Sequence, residues 1–424
     1  MDMNTRGMDF SERLSLEDIS KFAREEGGKV FGHYGSIRLK SAFQPIYSLA
    51  HRRAVGFEAL LRPYAGDQVI SPLTVFGMVQ DDVENVFLDR LCRIVHLKNF
   101  LSQGEDINWI FLNINPKVTV VGRRYGGFFA DLLEHNRIAP HRVVVEILES
   151  QIQDEGLLSE AVNYYKELGC LIAIDDFGAG ESNFDRLWRI EPHIVKLDRS
   201  IICQAASNVK VRRVIPNLVK LIHETGSLAL MEGVETEDEA MISMNSGADF
   251  VQGYYFARPA ERLSDAYGGS AAILGICEKF RHVAEHESDH YRKALHPYIG
   301  AFSSLVEQFK AGVEMDEASR NFLGLSKAER CFILNGEGRQ LGSSVLSSST
   351  PNVTDPRFTP LLDANDAIWL RRHYFRRAMS NPGEIQISRP YLSIAGGKMC
   401  VTLSVALHCE EERLVLCGDI LWND

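Results

Sequence analysis

No apolar run approaches the roughly 18–20 residues of a membrane span. The opening, MDMNTRGMDFSERLSLEDIS, has no apolar signal core. These two absences lead us to expect a cytoplasmic chain with no membrane insertion. There is no CxxC pair either. The eight cysteines (Cys92, Cys170, Cys203, Cys277, Cys331, Cys400, Cys409 and Cys417) are scattered. In a long chain without a signal core, that pattern reads as buried thiols rather than as disulfides or zinc ligands. Positive charge is not in excess: 46 Lys and Arg stand against 57 Asp and Glu, a net charge of −11. DNA and RNA are therefore not expected partners, because their phosphates need clustered cations. A small phosphate ligand stays compatible when metal ions stand between it and the acids. No repeat of fixed period appears.

What is present is ordinary globular composition, 45% hydrophobic and 24% charged over 424 residues, a length that suggests two domains. Eight strand-like runs occur between 41 and 256: SAFQPIYSL, AVGFEALLR, WIFLNIN, RVVVEILES, LIAIDDFG, HIVKLD, LALMEGVE and FVQGYYF. Several are nearly continuous and β-branched, as suits strands covered on both faces. Amphipathic stretches such as 159–169 and 208–226 separate most of them, the second ending at Gly226, a candidate helix cap. The alternation predicts an α/β fold, a (β/α)8 TIM-like barrel. A helical arm is expected over 1–34, the barrel over 35–263 and a helical connector over 264–300. An α+β domain is expected over 301–424, with strands at 330–335, 384–393, 398–408 and 413–422 and turns at 342–352.

Glu58, Asn113, Glu146, Asp175, Asp176, Lys196, Glu232 and Gln252 each fall in or near the end of a strand. In such barrels these ends converge on one mouth, where the chemistry sits. Five carboxylates gathered there would raise one another's pKa values unless cations intervened. Hard divalent ions, which take oxygen ligands, are the expected partners. The adjacent Asp175 and Asp176 suit two ions, a clamp fitted to phosphodiester hydrolysis. Lys196 is placed to orient water or to meet developing negative charge, and Arg62 to fork onto a phosphate oxygen.

These residues sit in motifs that resemble the EAL-domain family. FQPIYSLAHRRAVGFEALLRP holds the Glu58-Ala59-Leu60 triplet. FLNINP, VEILES, IAIDDFGAG, VKLD, EGVET and QGYYFARP follow in order over about 225 residues. The resemblance implies hydrolysis of cyclic di-GMP to linear pGpG with two Mg²⁺ or Mn²⁺ ions per site. It implies Glu58, Asn113, Glu146 and Asp175 on one ion and Asp175 with Asp176 on the second. Glu232 would support the metal centre, and Lys196 and Gln252 would position water. Gln44, Leu60, Arg62, Asp198, Glu235, Tyr255, Arg258 and Pro259 would meet the nucleotide, and Glu149 would steady the loop 176–183. A homodimer is implied too. The sequence departs from the family pattern at Leu148, Ala179, Glu181 and Met231, none of them a ligand, which bears on regulation. A second reading is a receptor that binds cyclic di-GMP without cutting it.

The C-terminal stretch from RRHYFRRAM to LVLCGDI resembles, more weakly, PAS-like modules of the Cache type. That resemblance implies a sensor pocket for a small-molecule effector at Arg372, Tyr374, Phe375, Tyr391 and Asp419. An empty domain is the equal alternative.

Overall fold

The eight apolar runs of the N-terminal part form eight strands of one closed barrel. The computed structural model describes residues 14–104, 107–148, 155–179, 184–348, 361, 364–394, 397–409 and 412–422. The first sheet contains β1 (Ala23–Glu26), β2 (Lys29–Tyr34), β3 (Ile37–Ser48), β4 (Arg53–Ala65), β5 (Gln68–Val69) and β6 (Trp109–Ile114). It continues with β7 (Val143–Leu148), β8 (Leu171–Phe177), β9 (Ile194–Leu197), β10 (Leu228–Met231) and β11 (Phe250–Val251). The order β3-β11-β10-β9-β8-β7-β6-β4 closes through the β3–β4 pairing.

The barrel departs from an all-parallel one at a single strand. β3 runs antiparallel to both β4 and β11, while β4 and β6 to β11 run parallel to one another. The cause is chain length. Only residues 49–52 join β3 to β4, and a parallel crossover needs a dozen or more. The turn closes with Arg52 at φ 56 and its amide donating to Ser48 O at 2.8 Å.

The expected N-terminal helical arm is corrected. Residues 14–34 form one short helix, Leu16–Ser20, and then the β1–β2 hairpin, which joins the sheet on β3. KVFGHY is a β-branched and aromatic run. Gly27 and Gly28 before it both take positive φ in the turn. Residues 1–13 lie outside the described residues. The stretch 208–226 gives the helix Val209–Glu224, with Thr225 as C-cap and Gly226 one step beyond at φ 83.

The chain divides into two units, Met1–Val283 and Ala284–Asp424. The helix Gly269–Lys310 carries it from one to the other. The second unit holds β12 (Ala328–Asn335), β13 (Gln340–Leu346), β14 (Gln386–Ile387), β15 (Tyr391–Leu392), β16 (Met399–Cys409) and β17 (Glu412–Leu421). They form an antiparallel sheet in the order β13-β12-β17-β16-β14, with β15 also on β16. One face packs on Leu295, Phe302 and Leu305, and the other on the helix His373–Ser380. β13 replaces part of the expected turn stretch; it is a mostly exposed edge strand held by its ladder with β12. Among the described residues no helix is long and apolar enough to cross a membrane. All eight cysteines are free, five of them buried.

Candidate active site

Inside the barrel, Ile46, Phe111, Val144, Ala173, Ile194, Leu230 and Phe250 form one apolar cluster with a residue from each of seven strands. Side chains return to the same face every second residue. Two positions further on, six of these strands present Asn113, Glu146, Asp175, Lys196, Glu232 and Gln252. β3 runs the other way and presents Gln44 two positions before Ile46. Glu58 comes from β4, two positions after Gly56. A Cβ at Gly56 would lie 2.6 Å from Phe111 Cε2, so only glycine leaves that ring its place. Glu232 and Gln252 lie just past their own strands, β10 and β11, yet remain tied to the neighbouring ones, β9 and β10. Their amides donate to Leu197 O at 3.1 Å and Met231 O at 2.9 Å. The site is thus one polar layer, a single pleat above an apolar one.

Consecutive strand residues normally face opposite ways, which would separate Asp175 from Asp176. Here β8 carries one extra residue against β9 between Ile174 and Phe177. Such a bulge re-aims side chains. Asp176 takes φ 57. Asp175, Asp176 and Glu232 consequently each offer an oxygen within 4.8 Å of the others.

The centre of the layer is the Lys196 ammonium. It lies 2.6 Å from Glu146, 2.7 Å from Glu232, 2.9 Å from Asp175 and 3.8 Å from Glu58. Burial alone would lower its pKa; the surrounding carboxylates outweigh this and hold it well above the usual range. Burial lifts Glu146 and Glu232 well above the ordinary carboxylate range. Burial, helped by Asp175 and Asp198, lifts Asp176 to about 6. Asn113 Nδ2 donates to Glu58 Oε1 at 3.0 Å and Gln252 Nε2 to Glu58 Oε2 at 2.8 Å. Glu146 Oε2 and Gln252 Oε1 are buried without a hydrogen-bond partner among the described residues, a state natural proteins rarely leave unfilled. The donor set is almost wholly hard oxygen, which fits divalent cations of the Mg²⁺ or Mn²⁺ kind.

A cleft of about 240 Å³ opens over this layer, lined by Gln44, Glu58, Glu232, Glu235 and Gln252 together with Arg199, Gly233, Gly253 and Tyr254. Leu60 and Arg62 continue the face of Glu58 along β4. Asp198 caps the helix Arg199–Ser207, accepting from Ser200 N at 2.9 Å. Tyr255 packs on Phe256 and has Glu237 and Lys279 around it, so it stands apart from the cleft lining. Arg258 stacks on Tyr254 at 4.4 Å, and Pro259 precedes the Ala260–Phe43 bridge. Glu149 and loop residues 180–183 lie outside the described residues. Arg199 and Tyr254 are the cleft side chains that sequence reasoning did not name. Both adjoin recognised motif positions, Arg199 after Asp198 and Tyr254 before Tyr255. Strand alternation from Gln252 would have favoured Tyr254 over Tyr255.

In the second unit the residues expected at a sensor pocket are brought together only in part. Arg372, Tyr374 and Tyr391 do line a space with Arg330, Gln340 and Trp369, but it measures about 10 Å³, room for about one water. Phe375 lies in the core instead. Asp419 is fully buried and pairs with Arg330 at 2.6 Å, while accepting from Thr402 Oγ1 at 2.6 Å. The missed residue is Arg330, which opens the run RCFILN.

The model of the EAL domain matches residues 35–259, more than half the chain. The chain belongs to the EAL-domain family. The EAL-domain containing protein YkuI of Bacillus subtilis is 27% identical over 379 residues, covering 85% of this chain and 90% of YkuI. The cyclic di-GMP phosphodiesterase RocR of Pseudomonas aeruginosa is 28% identical over 60% of this chain, which spans 65% of RocR's length. The crystal structure of YkuI in complex with substrate c-di-GMP and calcium matches with a TM-score of 0.75 at 20% identity. It covers 91% of this chain and 97% of YkuI. That likeness establishes a shared fold across both the EAL barrel and the C-terminal sheet.

Proposed function

We propose that this EAL-domain chain is a metal-dependent phosphodiesterase that opens one phosphodiester bond of cyclic di-GMP to give linear pGpG. The observation that carries this is the polar layer itself: five carboxylates, Asn113 and Gln252 gathered around Lys196, with a buried oxygen of Glu146 left without a partner among the described residues. Three of these acids, Glu58, Glu146 and Asp175, are buried, a cost that a binding protein has no need to carry. The named activity of RocR and the cyclic di-GMP and calcium bound to YkuI agree with the reading.

Glu58, Asn113, Glu146, Asp175, Asp176 and Glu232 would hold two divalent cations, which when bound supply Lewis acidity and an acidified water. The chain's own groups do the rest. Gln252 donates through Nε2 to Glu58 and keeps Oε1 free to accept from a water. Lys196 offers a fixed positive charge to the negative charge that builds as water oxygen adds to phosphorus. Arg199 and Glu235, paired at 2.6 Å, and Tyr254 stand at the rim, where the nucleotide enters. The reaction adds one water across one P–O3′ bond. It leaves a 5′-phosphate on one nucleotide and a proton on the departing O3′.

The test is incubation of the purified chain with cyclic di-GMP in Mg²⁺, Mn²⁺ or EDTA, with products separated by chromatography. Metal-dependent pGpG is the expected result. Binding with no product in either metal would replace the enzyme reading with that of a receptor.

A further inference from the structure

A second and larger cavity lies apart from the mouth of the barrel. It measures about 400 Å³ and shares no lining residue with the cleft over the acid layer. That volume falls in the roughly 300–1,000 Å³ range of small-molecule sites. Four segments build it: residues 27–31, Lys40 and Ser41 on β3, the C-terminal end of the helix Asp82–Leu101 with the residues just after it, and residues 261–264. Side-chain hydrogen bonds tie these segments together. Asn99 clamps Val30, accepting from its amide at 2.8 Å and donating to its carbonyl at 2.7 Å. Gln103 holds the opposite wall. Its Oε1 accepts from Leu263 N at 2.8 Å and its Nε2 donates to Glu261 O at 3.2 Å. Next to Glu261, Ala260 and Phe43 exchange both backbone hydrogen bonds, at 2.7 and 3.0 Å. The walls are therefore pre-formed, as those of binding pockets usually are.

The charge of the lining says what fits. Lys29, Lys40 and Arg262 line the cavity with a single carboxylate, Glu261. Glu261 pairs with Lys29 and lies 4.0 Å from Lys40. The hydrogen bond from Lys29 holds its carboxyl below the usual range, so it counts as a full negative charge at neutral pH. Among the described residues no ion pair engages Arg262. The lining thus has a surplus of two positive charges, in a chain whose net charge is −11. A cavity of one sign draws in ions of the other. The Lys40 ammonium is held in place, 4.2 Å from the centre of the Tyr64 ring. Val30, Phe31 and Leu263 form the apolar part of the lining. A phosphate monoester carries about −1.5 to −2 at neutral pH, which matches the surplus. A single carboxylate would leave half of it unmatched.

We propose that this cavity binds a small phosphate monoester, its phosphate held by Lys29, Lys40 and Arg262 and its organic body against Val30, Phe31 and Leu263. The site is separate from the acid layer and needs no metal. Glu261 occupies Lys29 and Lys40 in the free protein and yields them to the incoming phosphate. The site stands whether or not the chain cuts cyclic di-GMP.

The test is calorimetric titration of the full chain, freed of metal by dialysis, so that the bare acid layer of the mouth repels anions. The probe is phenyl phosphate, with benzoate and phenol for comparison. Phenyl phosphate should bind with a Kd of about 1 mM or tighter, benzoate at least about tenfold more weakly, and phenol without measurable heat. Arg262→Gln and Lys29→Gln should each weaken phenyl phosphate about tenfold, the scale of one charge-assisted contact. Lys220→Gln, at an exposed lysine outside the cavity, should leave it unchanged. Ser102→Trp, which sets a large side chain on the cavity wall, should abolish binding. Glu261→Gln should tighten binding severalfold, because the carboxylate competes for the same ammonium groups. That gain cannot come from unfolding, and weaker binding in this variant overturns the site. No heat with phenyl phosphate at roughly 10 mM, or binding that survives Ser102→Trp, overturns it as well. Equal weakening by Lys220→Gln and Arg262→Gln would reduce it to general attraction between charges. Benzoate binding as tightly as phenyl phosphate would overturn the choice of a phosphate monoester.

Discussion

Gln44 and Glu58 are register partners across the antiparallel β3–β4 seam. That seam lets a strand running the wrong way for a barrel of this type still deliver a side chain to the mouth. Glu58 is then fixed from other strands as well, taking hydrogen bonds from Asn113 and Gln252 on its two oxygens. A carboxylate so constrained has little freedom left and presents its lone pairs in one direction, as a metal ligand must.

Glu58→Ala and Asp175→Asn should therefore abolish turnover of cyclic di-GMP while leaving the fold intact. Each should also weaken Mn²⁺ binding by at least tenfold in titration calorimetry. Far-UV circular dichroism controls for folding. Normal turnover in either variant would remove the substituted residue from the metal assignment.

Lys196 acts as the counterion of the acid layer in the metal-free chain. Lys196→Met leaves Glu58, Glu146, Asp175 and Glu232 facing one another. Breaking such a buried arrangement from one side costs about 3–5 kcal/mol. In EDTA the variant should unfold at a clearly lower denaturant midpoint than wild type, and the gap should narrow as pH falls and the raised carboxyls of Glu146 and Glu232 take up protons. Mn²⁺ should stabilise the variant more than wild type, since the ion replaces the lost charge. Equal midpoints in EDTA would show that Lys196 does not balance these acids.

Much of this site was legible in the sequence because strand ends carry their own signature. An apolar run that meets a carboxylate, an amide or a lysine, on strand after strand, places those residues at one mouth. The closed barrel followed from the same eight runs. Three features were not legible from that pattern. The reversal of β3 depends on the short connection 49–52, not on the strand's apolar content. The common direction of Asp175 and Asp176 depends on a bulge, which period-two reasoning does not contain. β13 has almost no buried face and is held by its neighbour's backbone, so its side chains carry no strand signal. In the C-terminal unit the aromatic residues were found, but Arg330 escaped notice, and without it Asp419 reads as a ligand-facing acid rather than half of an ion pair.

His96 makes stability depend on pH. It is buried against Ser41, with Nδ1 at 2.9 Å from the hydroxyl, and burial, aided by the charge of Arg62, lowers its pKa to about 4. Between that value and the unfolded value near 6.5 the unfolded chain binds the extra proton, so stability rises with pH across this window. The contribution is complete above pH 6.5, is lost as pH falls to about 4, and amounts to about 3 kcal/mol. His96→Asn should lose correspondingly less stability than wild type between pH 7 and pH 4.5 in urea unfolding. The comparison cancels Asp176 and Glu146, whose raised pKa values act in the opposite direction. Parallel losses in the two proteins would mean that His96 is not the titrating group.

Arg330 and Asp419 tie the polar centre of the C-terminal sheet. The guanidinium reaches Asp419 Oδ2 through Nε at 2.7 Å and Nη2 at 2.6 Å and also donates to Ser393 at 2.8 Å, while Thr402 holds Oδ1. An anionic effector entering the adjacent space would have to compete with Asp419 for the same guanidinium. The pair is therefore read as structural. Arg330→Met leaves a fully buried carboxylate without its cation and should cost about 3–5 kcal/mol. The loss should appear as faster hydrogen exchange in β16 and β17, with the barrel strands unchanged. Arg330→Met combined with Asp419→Leu should recover most of it, because two apolar side chains of similar volume replace a buried ion pair at little cost. If Arg330→Met leaves exchange in β16 and β17 as it is in wild type, the pair does not hold this sheet together. The guanidinium would then be free to serve a ligand.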